Sequence, residues 1–202
     1  MAATDPDAEP QTTSDQQYRA GAYSYLAALL RQAPTQETLN AVSSLTAVDD
    51  STGAMETAMS LLGLAAESCT PEEVRDEYFA LFIGLGRGEV VPFGSWYQTG
   101  FLMERPLGEL RSDLKRLGFE RDESVKEPED HVAALFEVMA MLIHEGATFE
   151  QQAEFYNRHL AEWIGRFFGD LARTEAATFY KSVARFGTSF IELESSYLGM
   201  KA

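Results

Sequence analysis

The chain has 202 residues, 45% of them hydrophobic and including 13 Phe, 8 Tyr and 2 Trp, enough for one domain with a large core, which excludes wholesale disorder. Its 16 basic against 32 acidic residues give a net charge of −16, a field that repels phosphate backbones and attracts basic partners, so no nucleic-acid partner is expected. A single cysteine, Cys69, excludes an internal disulfide or thiolate cluster, and Glu72 and Glu73 beside it oppose a thiolate, so an inert thiol is expected.

Residues 1–16 read as a disordered acidic tail, with neither the basic region nor the apolar segment of a secretory signal. Residues 17–202 read as one all-α domain, a bundle of about eight to ten helices, because 3.6-residue periodicity dominates and strand alternation is nearly absent. Tyr18, Ala22, Tyr25, Leu26, Leu29 and Leu30 share the face of a first helix that Pro34 stops. Leu39, Val42 and Leu45 suggest a short second helix, and Met55, Met59, Leu62 and Ala66 a third. Thr70-Pro71-Glu72-Glu73 is a capping box with proline at the first helical position; Val74, Tyr78, Leu81 and Phe82 follow as a stripe, and Gly84 is a natural stop.

A glycine-rich loop runs from Leu85 to Gly94, and Ser95 is placed to cap the next segment. Pro106 should start a helix that Gly118 ends. After a charged loop, Pro128, Glu129 and Asp130 should open another helix, with Asp130 as its cap, a face from Val132 to Ile143 and an end at Gly146. Thr148 and Gln151 form a further capping box, before Phe155, His159 and Trp163 at four-residue spacing. The last helix carries Phe179, Val183, Phe186, Phe190 and Leu193. No apolar run reaches the roughly 20 residues of a membrane span, so the chain is expected in the cytoplasm without stable membrane insertion.

Three places invite a functional reading. The Gly84-Leu85-Gly86-Arg87-Gly88 loop follows a helix rather than a strand and lacks the Gly-Lys-Ser/Thr of a phosphate cradle, so it reads as a connector. Its continuation, Val90 to Tyr97, sets Phe93, Trp96 and Tyr97 in a loop, where they either fold back on the core or form an exposed aromatic patch of the kind that marks a binding site. His131, His144 and His159 lack zinc-ligand spacing, so neither a metal nor another cofactor is expected; His159 reads as a satisfied, half-buried ring. Asp130-His131 could act as a base pair, but no nucleophile is signposted, and capping is the simpler reading.

In order, Tyr78-x-x-Leu81-Phe82-x-Gly84-x-Gly86, then Pro92-x-x-Ser95-x-Tyr97, then Glu127-Pro128-x-Asp130-His131 resemble the TorD/DmsD/NarJ family of redox-enzyme maturation chaperones, across most of residues 18–195. The resemblance implies an all-helical, non-enzymatic cytoplasmic protein. Its partner would be the twin-arginine signal peptide on the precursor of a molybdenum oxidoreductase, of the dimethyl sulfoxide/trimethylamine oxide reductase, formate dehydrogenase or nitrate reductase type. Binding would delay export and assist cofactor insertion. Peptide contacts would fall on Leu81, Phe82, Gly84, Gly86, Pro92, Phe93, Ser95, Trp96, Tyr97, Glu127, Pro128, Asp130 and His131, with the aromatic residues taking the apolar stretch and acids such as Asp130 pairing with guanidinium groups. The chain would be a monomer or a domain-swapped dimer. The competing readings are a general helical interaction scaffold and a hydrolase using Asp130 and His131.

Overall fold

In the computed structural model, residues 14–45, 53–84, 88–122 and 125–200 are described, and among them ten α-helices and one π-helical turn make up the regular structure. In chain order these are α1 (Ser14–Arg31), α2 (Gln36–Ser43), α3 (Ala54–Ser68), α4 (Pro71–Tyr78) running into the π turn Phe79–Ile83, α5 (Gly94–Thr99), α6 (Arg105–Arg116), α7 (Val132–His144), α8 (Phe149–His159), α9 (Ile164–Arg173) and α10 (Phe179–Met200). The expected all-α bundle is what forms. Within residues assigned to the acidic tail, Ser14, Asp15 and Gln16 are already helical; residues 1–13 lie outside the described ones.

Local rules explain several helix ends. Thr70 accepts the Glu73 amide while Glu73 accepts the Thr70 amide, and Thr148 and Gln151 do the same. Gly84, Gly118 and Gly146 stand at helix ends with φ of 56°, 85° and 72°, conformations that cost a residue with a Cβ. One start is set from far away. The Glu77 carboxylate accepts the amides of Thr178, Phe179 and Tyr180 at 2.7, 3.0 and 2.7 Å, so α4 caps the first turn of α10.

The core forms where α1 lies along α7 and α10 packs between α3 and α9. Tyr23 is fully buried, with its ring 4.7 Å from Phe190 and 5.6 Å from Phe136. α10 approaches α9 so closely at Gly187 that a Cβ there would sit 2.2 Å from the Phe168 ring. One ion pair is sealed into this core. Arg19 donates to both oxygens of Glu194 at 2.6 and 2.7 Å and to Gln152 at 2.8 Å, and Tyr23 donates to Glu194 at 3.0 Å. Two expectations fail at the edges of these stripes: Tyr18 is 79% exposed and Leu193 is 47% exposed, so neither joins the core.

Candidate functional site

The sequence singled out segments near residues 81, 93 and 130, and the fold brings them together. The π turn holds Leu81 inside, and Val90 returns to donate its amide to the Leu81 carbonyl at 2.9 Å. The chain then crosses to the start of α7. The Val132 amide donates to the Pro92 carbonyl at 2.8 Å, the Gly94 amide to the Asp130 carbonyl at 2.9 Å, and Phe93 and His131 form an antiparallel bridge. Their rings meet edge to face at 5.1 Å.

The polar residues of this seam do structural work. The Asp130 carboxylate accepts the Ser95 amide at 2.8 Å, so it caps α5, 35 residues away, rather than its own helix. The expected helix start at Pro128–Asp130 is therefore corrected: α7 begins at Val132 and its N-cap is His131, whose Nδ1 accepts the Ala133 amide at 3.2 Å. Ser95 is likewise not the cap of α5. Phe93 holds that position without a side-chain bond, and Ser95 sits inside the first turn. Burial, together with the Arg31 charge, pushes the His131 imidazole down to about 3, so it stays neutral with Nδ1 free of its proton.

These placements revise what the side chains can do. Asp130 and His131 are 3% and 2% exposed; Asp130 Oδ2 and His131 Nδ1 accept backbone amides of α5 and α7, while Asp130 Oδ1 is buried without a hydrogen-bond partner among the described residues. A base pair poised for hydrolysis is not what they form, and Asp130 is not a surface acid for a guanidinium group. Leu81, Pro92 and Ser95 are buried with them. Phe82, Phe93, Trp96, Tyr97, Glu127 and Pro128 keep partial exposure, Gly84 is exposed, and Gly86 lies outside the described residues.

The acids along this edge already have partners from the chain. Arg31 bridges Glu127 at 3.5 Å and also pairs with Glu137, while Arg111 and Arg121 reach Glu129 at 2.9 and 3.7 Å. On the other side, Trp96 and Tyr97 line a pocket of about 400 Å³ with Arg166, Asp170 and Arg173. Tyr97 stacks on Trp163 at 5.5 Å and donates to Asp170 at 3.0 Å, and Arg166 stands 5.8 Å over its ring. Burial, then the Asp170 charge, raises the Tyr97 phenol above its ordinary range. Two arginines against one aspartate make this side locally basic.

His159 is a satisfied ring, as its spacing suggested. Its Nε2 meets Asp113 at 2.8 Å, burial lowers it below its ordinary range despite that carboxylate, and Arg158 reaches the same Asp113 at 3.0 Å. Among the described residues no three of His, Cys, Asp and Glu converge as metal ligands, and no helix is long and apolar enough to cross a membrane. Sequence reasoning missed Asp113, Arg166 and Asp170, which reach these clusters from other helices without any local signal.

Comparison with known proteins bears on this arrangement. The family profile described as nitrate reductase delta subunit matches residues 46–169. The chain is 26% identical over 202 residues to the chaperone protein TorD of Aliivibrio salmonicida, covering 89% of this chain and 94% of that one. It is 27% identical over 138 residues to the chaperone protein TorD of Vibrio parahaemolyticus, where the match covers 62% of this chain and 64% of the relative, just under two thirds of its length. A crystal structure from Archaeoglobus fulgidus, described as a redox enzyme maturation protein, superposes with a TM-score of 0.59 over 93% of this chain and 99% of that one at 15% identity, which speaks to the fold alone.

Proposed function

This chain belongs to the nitrate reductase delta subunit family, the TorD/DmsD/NarJ group, and from that premise we propose that it is a cytoplasmic maturation chaperone that binds the twin-arginine signal peptide of a molybdenum oxidoreductase precursor. The matched relatives are named chaperones, which groups the chain with proteins that are not enzymes. Binding would hold the precursor back from export while its cofactor is inserted.

The observation that carries this reading is the match to a TorD chaperone along nearly the whole of both chains. The net charge of −16 supports it, because a peptide that begins with arginines is steered toward an acidic protein. Within the signature residues, Asp130, His131 and Ser95 serve as the frame that locks α5 to the start of α7. Phe82, Phe93, Trp96, Tyr97, Glu127 and Pro128 are the members left to touch a client.

Titration of the whole chain with a synthetic peptide, two adjacent arginines followed by a leucine- and alanine-rich stretch, tests the reading. Saturable binding that weakens with salt is expected, since exposed charge pairs are screened over about 8 Å at physiological ionic strength while apolar burial persists. A folded chain that ignores this peptide overturns the proposal.

A further inference from the structure

Arg31 is the last residue of α1 and belongs to none of the signature motifs, yet residues of those motifs surround it. Because α1 lies along α7, its end reaches the seam. Arg31 Nε donates to Glu137 Oε1 at 3.0 Å and Nη2 pairs with Glu137 Oε2, a two-pronged grip on one carboxylate. Nη1 stands 3.5 Å from Glu127 Oε2. The Tyr78 hydroxyl donates to the Arg31 carbonyl at 3.1 Å and pins the helix end in place. The guanidinium charge also reaches His131, where it adds to burial in keeping the ring neutral. One arginine of the chain thus sits among Tyr78, Glu127 and His131, with Glu137 as its main partner.

The acids of this edge differ in reach. The side chains of Glu127 and Glu137 are 43% and 45% exposed, and that of Arg31 is 25% exposed. Glu129, held by Arg111 and Arg121, is only 16% exposed. A visiting guanidinium can therefore approach Glu127 and Glu137, but it finds a guanidinium already there. Pairs this exposed are weak, so an incoming arginine separates them at little cost. Arg31, however, is tethered. A group held beside its site by a short linker competes at an effective concentration on the order of millimolar. A lone basic side chain in dilute solution does not match that. One carried on a peptide that also buries apolar residues does.

We infer that Arg31 is a built-in competitor for the acidic seat of Glu127 and Glu137, which a client's arginine takes over by displacing it. The inference deepens the signal-peptide reading above and rests on it. Displacement leaves the number of charge pairs at Glu127 and Glu137 unchanged and sends Arg31 into water, so the exchange itself gives a client little. The surplus has to come from apolar contacts, and Phe82, Phe93, Trp96 and Tyr97 keep partial exposure for them. Arg31 thus sets a threshold against every basic peptide, and those with an apolar stretch beside their arginines pass it. It also favours release, because the returning Arg31 refills the seat as the peptide leaves.

Arg31→Gln tests this, since Gln keeps a good helix former at the end of α1 and removes the guanidinium. Two probes are followed by fluorescence anisotropy against the whole chain: the arginine–leucine peptide proposed above, and the same peptide with glutamines for its two arginines. Arg31→Gln is expected to bind the first about fivefold more tightly than the parent and the second no differently. Arg31→Lys keeps the charge but gives up the two-pronged grip, so its gain should be smaller and in the same direction; it carries the test if Arg31→Gln melts early. Arg185→Gln removes the same charge from an exposed position on α10 and should change affinity by under about twofold. Affinity for the arginine–leucine peptide that is unchanged or lower in both Arg31 variants overturns the inference while the signal-peptide reading stands. An equal gain in Arg185→Gln, or with the glutamine peptide, overturns it as well, because the effect would then belong to the overall field or to apolar contact. If neither the parent nor any Arg31 variant binds the arginine–leucine peptide, both readings fall.

Discussion

The signature cluster and the apolar groove of about 510 Å³ between α1, the start of α3 and α10 are opposites in how they use their residues. The cluster has the recognisable motifs, and its Asp130, His131 and Ser95 are sealed between α5 and α7, holding backbone amides. The groove has no motif, yet Tyr18, Met55, Met59 and Leu193 line it. A residue pattern that marks a family can therefore mark what keeps the fold in register, while an exposed apolar groove is built from side chains whose spacing looks like ordinary core. The two regions predict different symptoms when each is altered: lost stability in the sealed cluster, unchanged stability at the rim of the groove.

The largest expected effect comes from beneath the groove. Glu194→Gln leaves Arg19 buried without its counter-charge, and breaking such a pair costs about 3–5 kcal/mol. Chemical denaturation should show that loss. A cost under about 1 kcal/mol would mean that water reaches Arg19 and that the groove floor is not sealed.

Next is the cluster. Asp130→Ala removes a charged acceptor from the Ser95 amide and is expected to cost about 2 kcal/mol of stability, with Asp130→Asn costing about half of that. Peptide affinity should be unchanged in any fraction that remains folded. Weakened affinity at full stability in Asp130→Asn would erase the contrast between the two regions.

A pH measurement sharpens the same point. His131 is held at about 3 in the fold, well below the ordinary value near 6.5, so the unfolded chain binds this proton first as pH falls. Stability contributed by keeping the ring neutral is present above about pH 6.5 and is lost progressively as pH drops from there toward 3, with a slope of up to about 1.4 kcal/mol per pH unit. His131→Asn keeps a good N-cap without a titrating ring, so its stability should vary less between pH 6.5 and 5. Equal slopes for the two proteins would show that His131 takes up its proton without unfolding.

The smallest effect belongs to Tyr18→Ala. The side chain is 79% exposed, so stability should stay within about 0.5 kcal/mol of the parent. Affinity for the arginine–leucine peptide should be unchanged, because Tyr18 stands at the groove and not on the signature face. Anisotropy and thermal melting on the same sample check both.

What could be read from the sequence divides along a physical line. Capping boxes at Thr70–Glu73 and Thr148–Gln151, and glycine stops at Gly84, Gly118 and Gly146, were legible because donor and acceptor lie within one turn. The caps that Glu77 supplies to α10 and Asp130 supplies to α5 were not, because the partners are about a hundred and 35 residues away. Asp130 was misplaced for this reason: an acid after a proline looks like a helix start, and only packing reveals that the next residue does the capping. The groove was hidden differently. Periodicity identifies the apolar face of α1 and α10, but it cannot say that Tyr18 and Leu193 stay exposed at the edge of that face.

The Arg19–Glu194 pair ties α1 to α10, and both helices line the groove. Ribosomes deliver α1 long before α10. Until Glu194 emerges, Arg19 has no counter-ion and its wall of the channel has no opposite side. The groove is thus completed only once α10 has been made.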